Sequence, residues 1–72
     1  MYILAALFAL ASDPDTVFHM VVHDTMFPTE QACKAEGEKD VPALRSAMAG
    51  YVKLPEADIV VKIVCKLDGR DV

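Results

Sequence analysis

The 72-residue sequence lacks most of the patterns that catalytic, cofactor and nucleic-acid sites require. Its three glycines are isolated, so no glycine-rich loop can hold a phosphate group. It has no run of basic residues and a net charge of −4, which disfavours contact with nucleic-acid phosphates. Its two cysteines do not form a Cys-X-X-Cys motif, and two such residues make a poor zinc site. We therefore expect no catalytic residue, no cofactor and no metal ion.

The few remaining ionisable side chains do not change this expectation. His19 and His23 would lie about 13 Å apart along one face of a strand, too far to share one ion. The acidic residues Glu36, Glu38 and Asp40 form a charge run that is typical of an exposed helix face.

The longest apolar run covers residues 2–11 (YILAALFALA) and is too short for a transmembrane helix, which needs about 20 residues. As a strand it is apolar on both faces, which is typical of a central or doubly covered strand. Two other interpretations stay open, a helix without capping signals and the core of an export signal. Ala9, Leu10 and Ala11 before Ser12 imitate a cleavage site, but no lysine or arginine precedes the run.

The rest of the chain predicts one further strand, a helical segment and a third strand. Residues 12–15 predict a turn, and residues 16–26 predict a half-buried strand. A helix is expected over residues 29–52, with Thr29 as N-cap and a kink or split near Gly37 and Pro42, where Asp40 would be a second N-cap. Residues 58–67 alternate like a strand, residues 68–69 predict a turn and residues 70–72 a short tail. One face of the helix would be buried, comprising Cys33, Gly37, Val41, Leu44, Ala47, Met48 and Tyr51.

This order predicts a single α+β domain of β-β-α-β layout with strand order 2-1-3 and the helix packed on one face of the sheet. The other face would expose Val60 and Val64 of the third strand and Ile3 and Leu7 of the first. Because 54% of the chain is apolar, one small core cannot bury all of it. We expect a second copy of the chain to cover the exposed face.

Cys33 and Cys65 are predicted to lie at the same end of the domain and to point inward. They can form a disulfide, which would close a loop of about 33 residues and stabilise the fold by roughly 3–4 kcal/mol. They can equally be two buried free thiols. A disulfide would indicate an oxidising compartment or the exterior of a virion.

The segment FPTEQAC at residues 27–33, after an apolar hairpin and before a strand carrying a second cysteine, resembles small uncharacterised phage and prophage proteins. The resemblance implies no activity and assigns no functional residue. It implies a phage accessory or virion protein.

The function that we expect is a non-catalytic assembly or interaction module that binds itself, another protein or both, and that works in a virion or the host cytoplasm. One alternative is a small exported or periplasmic domain held by Cys33 and Cys65, with residues 1–11 as its signal. Another is an acidic phage inhibitor that binds a host protein through residues 30–40. Neither nucleic acid nor a membrane span is expected.

Overall fold

The computed structural model describes residues 1–67, so the predicted turn at residues 68–69 and the tail at 70–72 lie outside the described residues. The chain forms β1 (Tyr2–Leu10), β2 (Asp13–Val22), α1 (Glu30–Val52) and β3 (Ile59–Leu67), with one turn of 3-10 helix at Glu56–Asp58. β1 pairs antiparallel with both other strands, and the sheet order is β2-β1-β3. The predicted α+β layout and strand order are confirmed, and residues 2–10 form the central strand.

The core lies between α1 and the β1–β3 half of the sheet. Alternate residues of β1 point at the helix, and Leu4, Ala6 and Phe8 are buried there. Directly opposite each of them on β3 is another residue of the same face. The buried apolar side chains are Leu4, Ala6, Phe8, Ala9, Cys33, Met48, Ala49 and Ile59.

β2 departs from the prediction in its limits and in its burial. It begins at Asp13 directly after a turn at residues 11–12, so Pro14 lies in the strand, which an edge strand tolerates. β2 contains a bulge at Phe18. Phe8 of β1 pairs with His19 and Ala9 pairs with Val17, so Phe18 between them has no partner on β1. Every residue of β2 is exposed, so the prediction of a half-buried strand is wrong. The reason is that α1 packs over β3 and β1.

α1 is one continuous helix of 23 residues. The Thr29 hydroxyl accepts a hydrogen bond from the Ala32 N–H at 3.1 Å, which confirms the predicted N-cap. The helix runs through Pro42, so the alternatives of a split and of a second N-cap at Asp40 are not realised. It ends at Lys53, whose backbone is left-handed with φ 61°.

The predicted inner face of α1 is correct for Cys33, Gly37 and Met48, which are buried, while Val41 and Leu44 are half-buried. It is wrong for Ala47, which is exposed, and for Tyr51, which is 80% exposed. Tyr51 lies on the side of the helix that faces β2, where no part of residues 1–67 covers it. Ala49 is buried in its place. Within residues 1–67, no helix has both the length and the apolar character that crossing a bilayer demands.

Candidate functional site

The two cysteines are joined by a disulfide between α1 and β3. Their Cα atoms are 6.1 Å apart. Cys33 lies in the first turns of the helix and is fully buried, and Cys65 lies near the end of β3, as the sequence indicates. The interpretation as two free thiols is therefore not realised, and the bond ties the start of α1 to the edge strand opposite β2.

The side of the sheet turned away from α1, here called the open face, consists of cross-strand rows. Val22, Ala5 and Val64 form one row across the three strands. Lower rows are Met20–Leu7–Lys62 and Val17–Ala9–Val60, and Ile3 pairs with Lys66 at the upper end. All four residues that the sequence assigns to an interface, Ile3, Leu7, Val60 and Val64, lie on this face.

The open face is apolar except for its lysines. Met20 is 56% exposed, Val22 is 52% exposed and Val64 is 39% exposed, while Ile3, Leu7 and Val60 are half-buried by their neighbours. An antiparallel sheet with one solvated face normally alternates apolar and polar residues along each strand. β1 does not alternate, because its outward residues are as apolar as its inward ones.

Lys62 lies across the middle of the open face. Lys62 belongs to β3 and stands opposite Leu7 of β1. Its Nζ nevertheless donates a hydrogen bond to the backbone oxygen of Pro14 on β2 at 3.3 Å. The alkyl part of the side chain therefore spans the central strand while the charge stays near the edge.

A second apolar surface lies on the helix side, where β2 extends beyond α1. The groove there has a volume of about 430 Å³. Val21 of β2 and Tyr51 of α1 stand on its two sides, with Phe8 and Leu44 among the other lining residues. The ring of His19 also lines it and lies 6.0 Å from the ring of Phe8 between centroids.

One group of side chains in residues 1–67 has the composition of a metal site. One ligand atom each from His23, Glu36 and Asp40 lies within 4.8 Å of the other two. All three residues are half-buried, so Glu36 and Asp40 are not part of the exposed acidic face that the sequence predicts, whereas Glu38 is exposed. The expectation of no metal ion rested on the distance between His19 and His23 along one strand. The spacing of Glu36 and Asp40, one helical turn apart, was the signal that could have found the group.

A comparison of the chain with protein-family models, with curated proteins and with solved structures found no match.

Proposed function

We propose that this chain is a non-catalytic assembly module that self-associates through the open face of its sheet. The observation that carries the proposal is the apolar outer side of the central strand, flanked by the exposed side chains of Met20, Val22 and Val64. Exposed apolar surface of this extent, concentrated on one face, is typical of protein–protein contact sites. Two such faces can pack on each other at a spacing of about 10 Å, as in a β-sandwich.

Charge selects the arrangement of the two copies. A two-fold axis parallel to β1 would stack β3 of each copy over β2 of the other. Lys62 and Lys66 would then lie far from their symmetry copies and over a strand that carries Asp13 and Asp15 but no lysine or arginine. An axis across the strands would instead stack β3 on β3 and bring like charges together, which costs energy.

The area of the open face sets the expected strength of the dimer contact. Three strands about 4.8 Å apart and about 30 Å long give roughly 430 Å² of flat sheet per copy. That area is about half of the roughly 800 Å² per partner that standard specific interfaces bury, and it is in the range of weak or transient contacts. We therefore expect a dimer whose population depends on protein concentration rather than an obligate one.

Sedimentation velocity over a range of concentrations tests the proposal. The double variant Val60→Lys/Val64→Lys should be monomeric at concentrations where the unmodified chain is dimeric, with an unchanged circular dichroism spectrum. The matched control is Tyr51→Lys/Leu54→Lys, which removes two exposed apolar side chains on the helix side. A folded Val60→Lys/Val64→Lys variant that still dimerises, or a control that dissociates equally, contradicts the open face as the interface.

Replacing Lys62 should change the strength of dimerisation in the opposite direction. A second copy on the open face would have to desolvate this ammonium group or displace it toward the rim. Lys62→Met keeps the length of the side chain and removes that cost, so it should strengthen dimerisation. Weaker association of this variant would contradict the proposed packing.

The resemblance of residues 27–33 to phage proteins supports a virion or the host cytoplasm as the place where the module works. Mass spectrometry of purified particles from the natural source tests the virion placement. Particles that lack the chain would contradict it.

A second candidate is a small domain that works in an oxidising compartment, and the disulfide between Cys33 and Cys65 favours it. This hypothesis makes residues 1–11 an export signal. Removing them would also remove β1, the centre of the sheet. The intact mass of the protein from its natural source separates the two candidates, since a chain that starts at Ser12 cannot form the open face described above.

A further inference from the structure

The end of β2 and one turn of α1 bring together three side chains that ligate metals. His23 follows the last residue of β2, and Glu36 and Asp40 lie one turn apart on α1. One ligand atom of each lies within 4.8 Å of the other two. The group is separate from the open face, because Glu36 and Asp40 belong to the helix that covers the opposite side of the sheet.

Contacts of its backbone, its ring and one ring nitrogen hold His23 in place. Its backbone N–H donates to the Leu4 carbonyl at 2.8 Å. Its ring packs edge-on against Phe27, with 5.3 Å between the centroids. Nδ1 accepts a hydrogen bond from the Thr25 N–H at 3.0 Å, so the neutral ring carries its proton on Nε2 and must release it before that nitrogen can bind a metal ion.

The two carboxylates have no cationic partner in the part of the chain that the structure describes. Side-chain ion pairs there join Lys34 to Glu30 and His23 to Asp24, and none involves Glu36 or Asp40. Two like charges at positions i and i+4 of a helix repel each other. A divalent cation bound by two carboxylates and a neutral imidazole would remove this repulsion and leave no net charge.

The surroundings favour such an ion on its inner side. Gly37, between the two acidic residues, lets the helix approach Ile63 and Leu4 closely. A cavity of about 50 Å³ lies there, and His23 and Asp40 are the polar residues in its otherwise apolar lining. Electrostatic attraction is stronger beside apolar groups than in bulk water.

We propose that His23, Glu36 and Asp40 bind one divalent transition-metal ion and that Zn²⁺ matches this ligand set best. Nitrogen and oxygen ligands bind Zn²⁺ at about 2.0–2.2 Å, which places ligand atoms roughly 3.4 Å apart in a tetrahedron. Atoms that lie up to 4.8 Å apart therefore have to close by at most about 1.4 Å, through rotation of the half-buried Glu36 and Asp40 side chains. Three protein ligands leave the fourth position to water. Mg²⁺ and Ca²⁺ prefer ligand sets made of oxygen alone.

The proton of the imidazole has a place to go when the ion binds. Binding through Nε2 requires the other neutral tautomer, in which the proton lies on Nδ1 and the hydrogen bond from the Thr25 N–H is given up. The Asp24 carboxylate lies 3.5 Å from Nδ1 and can accept that proton in a hydrogen bond. Carboxylates in this position orient many metal-bound histidines. The ion would also link the end of β2 to α1. This link would matter because every residue of β2 itself is exposed.

Isothermal titration calorimetry of ZnCl₂ into the full, oxidised and metal-free chain tests the proposal. We expect binding at one ion per chain and a melting temperature that rises with Zn²⁺ concentration. His23→Gln, Glu36→Gln and Asp40→Asn should each weaken binding by about tenfold or more. His19→Gln and Glu38→Gln, which change a histidine and a helix acid outside the group, should leave the affinity within about twofold. Titrations with MgCl₂ and CaCl₂ should give at least tenfold weaker binding.

Three results would overturn the proposal. The first is Zn²⁺ binding no tighter than about 1 mM in the unmodified chain. The second is an affinity that falls as much in His19→Gln or Glu38→Gln as in the ligand variants. The third is folded His23→Gln and Glu36→Gln variants that bind Zn²⁺ as the unmodified chain does. Equal binding of Ca²⁺ and Zn²⁺ would overturn the choice of metal. The test does not depend on self-association, because the monomeric Val60→Lys/Val64→Lys variant retains all three ligands.

Discussion

The side chain of Ile63 occupies the space that a Cβ atom on Gly37 would need. Such an atom would also stand 3.1 Å from Cδ1 of Leu4. α1 therefore approaches β1 and β3 at this point more closely than any side chain on the helix would allow. One turn earlier, Cys33 reaches its disulfide partner, and on either side of Gly37 the carboxylates of Glu36 and Asp40 reach the end of β2.

Gly37→Ala should destabilise the fold by about 1–3 kcal/mol because the added methyl group forces the helix away from Ile63. This sign is opposite to the helix-propensity effect, in which alanine is favoured over glycine by about 1 kcal/mol. Gly50→Ala is the matched control, since Gly50 is in the same helix and a Cβ there meets no atom within 4 Å. It should stabilise the fold by up to about 1 kcal/mol. Urea denaturation of both variants measures the difference, and the same sign for both would contradict the close approach at Gly37.

The Cys33–Cys65 disulfide should provide a large part of the stability of the domain. Its cysteines are 32 positions apart, and a closed loop of that size is worth about 3–4 kcal/mol in the chain-entropy description. A domain of this length has a total stability of roughly 4–11 kcal/mol. Reduction should therefore lower the urea midpoint strongly and raise the intact mass by about 2 Da. An unchanged midpoint after complete reduction, verified by the mass, would show that the bond adds no stability.

The end of α1 is a site where stability can be gained. Lys53 adopts the left-handed conformation with φ 61°, and its N–H donates to the Ala49 carbonyl. A non-glycine residue in this conformation costs roughly 1–2 kcal/mol, which glycine avoids at the expense of a more flexible unfolded chain. Lys53→Gly should therefore stabilise the fold by about 0.5–1 kcal/mol in thermal or urea unfolding. Lys53→Ala keeps the left-handed strain and removes the same charge, so a gain of equal size in that variant would refute the backbone explanation.

The layout of the domain could be predicted because local patterns indicate it. The run at residues 2–11 is apolar on both faces, which predicted the central strand. The alternation from Ile59 to Leu67 predicted β3, and Thr29 predicted the start of the helix. The proximity of Cys33 and Cys65 followed from the same topology, since the chain order places both residues at one end of the sheet.

The errors lie where burial depends on the position of a distant element. Residues of β2 alternate like a half-buried strand, but α1 packs over the other two strands and leaves β2 exposed. Tyr51 continues the apolar period of the helix and yet faces outward for the same reason. Pro42 is a strong local signal for a break, and the helix continues through it.

The sequence by itself determined the order of the elements, the central place of β1 and the apolar character of the face opposite the helix, because periodicity and capping are local properties of the chain. Only the tertiary structure decided which strands α1 covers, and with it the exposure of β2. It also placed His23 beside Glu36 and Asp40. That contact depends on how closely the helix approaches the sheet at Gly37, and no spacing along the chain records this distance.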